Sequence, residues 1–505
     1  MNHLAIAPVL TPLLAGILLL LLGGACPSMR RPLSFIAVVI QIGVVLALMA
    51  ATHDGAILVY ALGHWPAPFG IVLVVDRLAA WLLIITALLA FFVLLHAVQG
   101  DDRTGQHFHV LFQLQLFGLN GAFLTGDLFN LFVFFEILLL ASYGLLLHGG
   151  GPWRVRAGLH FVVVNLLGST LFLFAVGTLY GIFGALNMAD LAQKVAVASP
   201  ENVPLARASG LLLFGVFALK AALLPFYLWL PATYAHAGAT VAALFAIMTK
   251  VGAYCILRVY GLIFGASAGP VAGLIEPWLL PLALATLIVG LLGALASGGL
   301  RQQTAYLVVA SVGSLLLAFG LNRVAGVAAG LYYLPHTTFA TAALFLLADA
   351  IARRRGESDD RLDPAAAIAD AGVLGGLFFI IAVAVAGLPP LSGFLGKFLL
   401  LRAALDHPLL SWIMTAVLIA GLLGLIALAR TGSLLFFRAL SPPAKASKPL
   451  PALLLEMAPI IGLLLLILGL TVAGGSIVEQ TRAIAAQVLQ PQLYINAVMH
   501  SGATP

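Results

Sequence analysis

Apolar runs long enough to cross a bilayer follow one another along almost the whole of this 505-residue chain, separated by short polar breaks. About 20 apolar residues in a helix span the roughly 30 Å of hydrocarbon. Such runs fall at about 4–25, 33–51, 72–97, 107–125, 127–147, 158–184 and 207–230. Seven more follow at about 237–265, 274–297, 301–320, 323–350, 372–401, 409–437 and 452–473. The pattern predicts an all-α polytopic membrane protein of about fourteen transmembrane helices.

The basic residues test that count, because cytoplasmic loops collect Lys and Arg. With the N-terminus outside, each loop from an odd-numbered helix to the next is cytoplasmic. Those loops hold fourteen basic residues, from Arg30 and Arg31 through Arg103, Arg154, Arg301 and Arg353 to Lys445 and Lys448, against six on the other side. A helix missed or invented in the middle would scramble this alternation. Both termini are therefore expected on the outer side of a bacterial cytoplasmic (inner) membrane. The segment LLLLLGGAC ending at Cys26 resembles a lipoprotein cleavage site. No Lys or Arg precedes it and the Arg30–Arg31 pair follows it, the reverse of a cleaved leader, so it reads as the first transmembrane helix.

Composition agrees. Charged residues make up 8% and hydrophobic residues 62%, whereas soluble domains carry roughly 25% charge. The net charge of +6 sits in the loops and does not suggest nucleic-acid binding. Cys26 and Cys255 lie in apolar surroundings and form no metal or redox motif. There is no phosphate loop, dinucleotide fingerprint or nucleophile elbow, so neither a cofactor nor a self-contained enzyme is expected. No loop is long enough for a soluble domain. Residues 1–505 read as a single membrane domain, with one short interfacial helix in the tail after Gly474.

Only six lysines occur, and three of them, Lys220, Lys250 and Lys397, fall inside apolar spans together with one carboxylate, Glu136. A charge at the centre of a membrane helix costs about 2.5–3.5 kcal/mol on insertion scales. Snorkelling to the headgroups is the bland alternative, strongest for Lys397, which lies nearest a span end. Protons are the cargo that suits such groups. Burial disfavours the charged amine and a neighbouring carboxylate restores it, so a Lys whose contact with a Glu forms and breaks can take up and release a proton near neutrality. Spacing alone does not establish that Glu136 and Lys220 touch.

Two of these lysines adjoin helix-breaking sequence. Lys220 opens KAALLPFYLWLP, with Pro225 and Pro231, and Lys397 closes GLPPLSGFLGK, with Pro389, Pro390, Gly393 and Gly396. Such breaks survive at membrane depth where protein or an aqueous cavity covers the freed backbone, and paired breaks flag repeats in transporters. Lipid-facing kinks are the alternative. His336, well inside an apolar span, is either a relay or a neutral core histidine. His236, at a helix entrance, is a weaker candidate. Asp127 suits the outer entrance of its helix, with a surface role or proton access equally open. Asp349, followed by basic residues, reads as interfacial.

The segments GDLFNLFVFFE, KAALLPFYLWLPATYAHAGATVAALFAIMTKVGAYCILRVY and GLPPLSGFLGKF resemble the antiporter-like subunits shared by respiratory complex I and multisubunit cation/proton antiporters, most nearly the D-type subunits of the Mrp antiporters. The resemblance implies two inverted five-helix repeats, about helices 4–8 (107–265) and 9–13 (274–437), with helices 7 and 12 broken. Helices 1–3 (1–106) would precede them, and helix 14 with an outer tail (452–505) would follow. It also implies that Glu136 pairs with Lys220, that Lys250 and His336 continue a lateral polar axis, and that Lys397 exchanges protons with one side. Many relatives carry a lysine where this chain has Thr341, so the middle of the axis would lean on His336, water and hydroxyls.

The expected function is proton translocation within an antiporter exchanging Na+ or K+ for protons, with other hydrophobic subunits as partners and lipid as solvent. Alternatives are a proton-pumping arm of a quinone-linked oxidoreductase or membrane-bound hydrogenase, and a non-conducting assembly scaffold.

Overall fold

The computed structural model describes residues 2–22, 26–441 and 449–500. Lys445 and Lys448, assigned above to a basic loop, lie outside them.

Three apolar helices open the chain: α1 (Ala7–Leu22), α2 (Arg30–Ala51) and α3 (Arg77–Ala97). Between the second and third lies a hairpin, β1 (Leu58–Ala61) antiparallel to β2 (Val72–Val75), with Leu58 opposite Val75 and Ala61 opposite Val72. Asp76 follows directly and caps α3, its carboxylate accepting from the backbone N–H of Ala79 at 2.8 Å.

Next come α4 (Phe108–Leu124), α5 (Leu128–Leu147), α6 (Pro152–Phe183), the short loop helix α7 (Met188–Ala196) and α8 (Val203–Ala221). The predicted seventh span breaks after α8 and resumes as α9 (Trp229–His236). The eighth is two pieces, α10 (Ala239–Phe245) and α11 (Met248–Leu262).

The later half holds α12 (Glu276–Ala296), α13 (Leu300–Gly320) and the long α14 (Val324–Arg355). The twelfth span is broken into α15 (Ala371–Ala386) and α16 (Ser392–Ala403), and α17 (Leu410–Gly432) and α18 (Leu450–Val472) complete the membrane helices. Two residues of β3 (Ala365–Ala366) run parallel to β4 (Ala439–Ser441). Among the described residues, eleven helices are long and apolar enough to cross a membrane, and three shorter apolar ones, Ala7–Leu22, Phe108–Leu124 and Ala371–Ala386, fall at other predicted runs.

The tail differs from expectation. Two helices, not one, follow Val472: α19 (Gly474–Val488), which packs against α14, and α20 (Pro491–Met499).

Burial sorts the helices into layers. α11, α13 and α14 are enclosed almost all round, whereas α2, α6 and α17 turn large side chains such as Ile36, Phe174 and Leu422 outward. An apolar outward face is stable against lipid or another apolar subunit and not against water. Lys250 and His336 lie on the enclosed helices, and Lys220 on α8, which packs against α11.

Candidate functional site

The break after α8 is built by Ala222, whose φ of +59° ends the helix, and by Pro225, which has no N–H to continue it. Freed backbone groups here find partners from elsewhere. The indole of Trp229 donates to the carbonyl of Leu219 at 3.0 Å, and the hydroxyl of Thr286 on α12 accepts from the N–H of Leu224 at 2.9 Å.

Lys220, in the last turn of α8, is buried. Its amine donates to the side-chain and backbone oxygens of Asn165 on α6, at 3.2 and 3.4 Å, and lies 5.8 Å from the centre of the Phe135 ring. Glu136 is the next residue along α5. It acts on Lys220 through its charge, but no ion pair within 4.0 Å joins the two, and one Glu136 carboxylate oxygen is buried without a hydrogen-bond partner. The implied contact pair is therefore an electrostatic neighbourhood, with Asn165 holding the amine.

Lys250, on α11, is wholly buried and donates to the hydroxyl of Ser311 on α13 at 3.4 Å. Two residues along, Gly252 lets α11 lie against the end of α8: a Cβ there would sit 2.4 Å from the backbone nitrogen of Ala221. This close approach makes the two helices that carry Lys220 and Lys250 immediate neighbours.

The second break is sealed by the site residues themselves. Lys397 on α16 is half-buried, and its amine turns back across the gap to the carbonyl of Ala386, the last residue of α15, at 2.6 Å. That geometry excludes snorkelling. His336 on α14 hydrogen-bonds the hydroxyl of Ser392 at 2.8 Å. Gly393 is required at this place, since a Cβ would fall 2.0 Å from the Ala384 oxygen and 2.8 Å from the His336 ring.

The remaining candidates lie apart from this row. Thr341 is buried, and its hydroxyl donates to the Thr337 carbonyl of its own helix at 2.7 Å. His236 sits exposed at the end of α9, stacked on Trp153 with its carbonyl taken by Arg154. Asp127 is buried as the N-cap of α5, accepting from the N–H of Asn130 at 2.8 Å.

Three groups escaped the sequence reading. Asp76 and Arg258, both buried, form an ion pair at 2.7 Å; Arg258 also donates to Tyr254, and Tyr494 of α20 lies over its guanidinium at 5.1 Å. Buried His96 on α3 reaches Thr240 at 3.1 Å and lies 3.8 Å from both Asp101 and Asp349, beside Arg353 and Arg301. Asp349 is thus tied into a network at the basic loop face. Third, Ser311, Ser314, Tyr333 and Lys397 together line a cavity of about 40 Å3.

Four polar stations inside an apolar bundle, three of them amines, suit the uptake and release of a small cation such as a proton. Residues 125–424 match the family described as NADH:quinone oxidoreductase/Mrp antiporter, transmembrane, and the chain belongs to that family. It is 38% identical, over 99% of its length and 98% of the relative's, to a probable K(+)/H(+) antiporter D-type subunit from Rhizobium meliloti (strain 1021). A Na(+)/H(+) antiporter D-type subunit from Alkalihalophilus pseudofirmus is 37% identical over 99% of this chain and all of that one. Among solved structures, a chain of the Mrp complex from Dietzia sp. DQ12-45-1b superposes with a TM-score of 0.88 at 28% identity, covering 99% of both.

Proposed function

We propose that this chain is the D-type, proton-translocating component of a multisubunit Na+ or K+/proton antiporter in a bacterial inner membrane, with both termini on the outer side. The observation that carries the reading is the row of buried amines in a chain that matches D-type antiporter subunits over nearly its whole length. Residues 107–265 and 274–437 are read as inverted repeats, each contributing one broken helix.

In this scheme Glu136 sets the charge environment of Lys220, and a proton gained or lost there changes the electrostatic cost of charge on Lys250, whose helix touches the same break. Lys397 is the station at the second break, where His336 holds the backbone gap in register. Asp127 caps the α5 helix that carries Glu136. Cation movement in the opposite direction, through this subunit or a neighbouring hydrophobic one, is coupled to these charge changes.

Cation-driven proton flux in everted vesicles containing the whole complex tests the reading. Lys220→Ala should abolish exchange with the complex still assembled; full exchange by that variant refutes it. Co-purification with iron–sulfur or flavin subunits, instead of small hydrophobic ones, would favour an oxidoreductase arm.

A further inference from the structure

We propose that the proton passes between Lys250 and Lys397 through a water-holding pocket walled by the hydroxyls of Ser311, Ser314 and Tyr333, and that His336 and Thr341 stand outside this step. The inference rests on the functional reading above and specifies one segment of its path.

Four observations carry it. The Lys250 amine already donates to Ser311 at 3.4 Å. Ser311 and Ser314 are one turn apart on α13 and so share a face. Tyr333, from α14, packs on Gly396, the residue before Lys397, where a Cβ would fall 2.8 Å from its ring. All three residues, with Lys397, border the same cavity of about 40 Å3, whose other walls are mostly aliphatic. A site needs roughly 10–15 Å3 and two to four polar partners to hold a water, and this one meets both conditions.

The alternative stations are committed elsewhere. His336 spends its ring hydrogen bond on Ser392 at the helix break, and does not border the cavity. Thr341 does not border the cavity either. His336 is accordingly a positioning residue, holding α15 and α16 in the arrangement that aims Lys397.

The proton balance is simple. The Lys250 ammonium gives one proton to the hydroxyl–water chain and becomes an amine. The chain hands one proton to the Lys397 amine, which becomes an ammonium, and each oxygen between accepts one hydrogen and passes one on. Reverse transfer restores the start. The Ser311 hydroxyl hydrogen now points to the Val308 carbonyl at 2.7 Å. It and the Ser314 hydroxyl, which donates to the Ala310 carbonyl at 3.4 Å, must both rotate toward the cavity before the line is continuous, so these two torsions form a gate.

The test uses the assembled complex in everted vesicles, with assembly checked on native gels. Ser311→Ala combined with Ser314→Ala should slow cation-driven proton flux by about tenfold or more, in keeping with loss of positioned proton-transfer groups. Ser311→Thr, which keeps a hydroxyl, should restore most of it. Should the double variant fail to assemble, Tyr333→Phe retains the ring, removes only the hydroxyl and should also slow exchange. Wild-type flux in the alanine double variant or in Tyr333→Phe, while Lys397→Ala is inactive, overturns the pocket and leaves the antiporter reading standing. Wild-type flux in Lys397→Ala overturns both.

Discussion

Lys397 closes the break in its own helix, donating at 2.6 Å to the carbonyl of Ala386. The same amine is thus a structural plug as well as the proton station proposed above. Taking it away leaves a carbonyl at membrane depth without its donor, a loss of about 1–3 kcal/mol. Lys397→Ala should lower the unfolding temperature of the detergent-solubilised protein as well as abolish exchange, whereas Phe398→Ala, one residue along on an exposed face, should do neither. Thermal melts alongside vesicle flux separate these effects.

The buried pair of Asp76 and Arg258 predicts a different pattern. Removing one partner strands the other charge, which costs about 3–5 kcal/mol, whereas replacing both with apolar groups of similar size is often neutral. Asp76→Ala should be strongly destabilising, and the double variant Asp76→Leu with Arg258→Met should recover most of the loss. A double-mutant cycle on melting temperature measures it.

Trp229 holds the first break together through its indole N–H. Trp229→Phe keeps most of the apolar contact but leaves the Leu219 carbonyl with only the Ala222 N–H at 3.1 Å, with an expected cost of about 0.5–1.5 kcal/mol. Faster proteolysis between residues 222 and 228 in the variant would be the readout.

At the basic loop face, Asp102 receives two hydrogen bonds from Arg31, each 2.7 Å, and lies 3.2 Å from His109. Burial pushes its carboxyl up, but Arg31 and His109 outweigh that and hold it below the ordinary value of 3.8. A depressed carboxylate adds stability that is present above its unfolded-state value and disappears as pH falls through the folded-state one. The melting temperature should therefore drop below about pH 4. Asp102→Asn should melt lower at neutral pH and show a smaller fall on acidification.

Much of this molecule could be read in one dimension. Membrane spans are long compositional features, the prolines beside Lys220 and Lys397 mark the two broken helices even though Pro281 and Pro335 lie inside unbroken ones, and a lysine between leucines stands out without any fold. Contacts made by facing are another matter. Whether Glu136 meets Lys220 depends on the rotation of α5 against α8, which apolar sequence on every side leaves open. Asp76 and Arg258 are 182 residues apart and were hidden, one at a loop end and the other inside a motif already assigned to Lys250. Ser311 and Ser314 gave no signal, because a serine bonded to its own helix is ordinary in membrane spans. Tyr333 was masked by its neighbour His336. The β1–β2 hairpin was missed because four residues per strand carry too little alternation to be seen beside a run of apolar helices.

The seam at Gly252 has a mechanical consequence. With the α11 backbone pressed against Ala221, these two helices cannot slide or rock past one another without prising apart the contact that locates both amines. In the proposed scheme the first two lysines are then fixed electrodes in a rigid mount, and turnover there is carried by torsions and proton hops. Any rigid-body rocking that drives the cation has its hinge elsewhere in the complex.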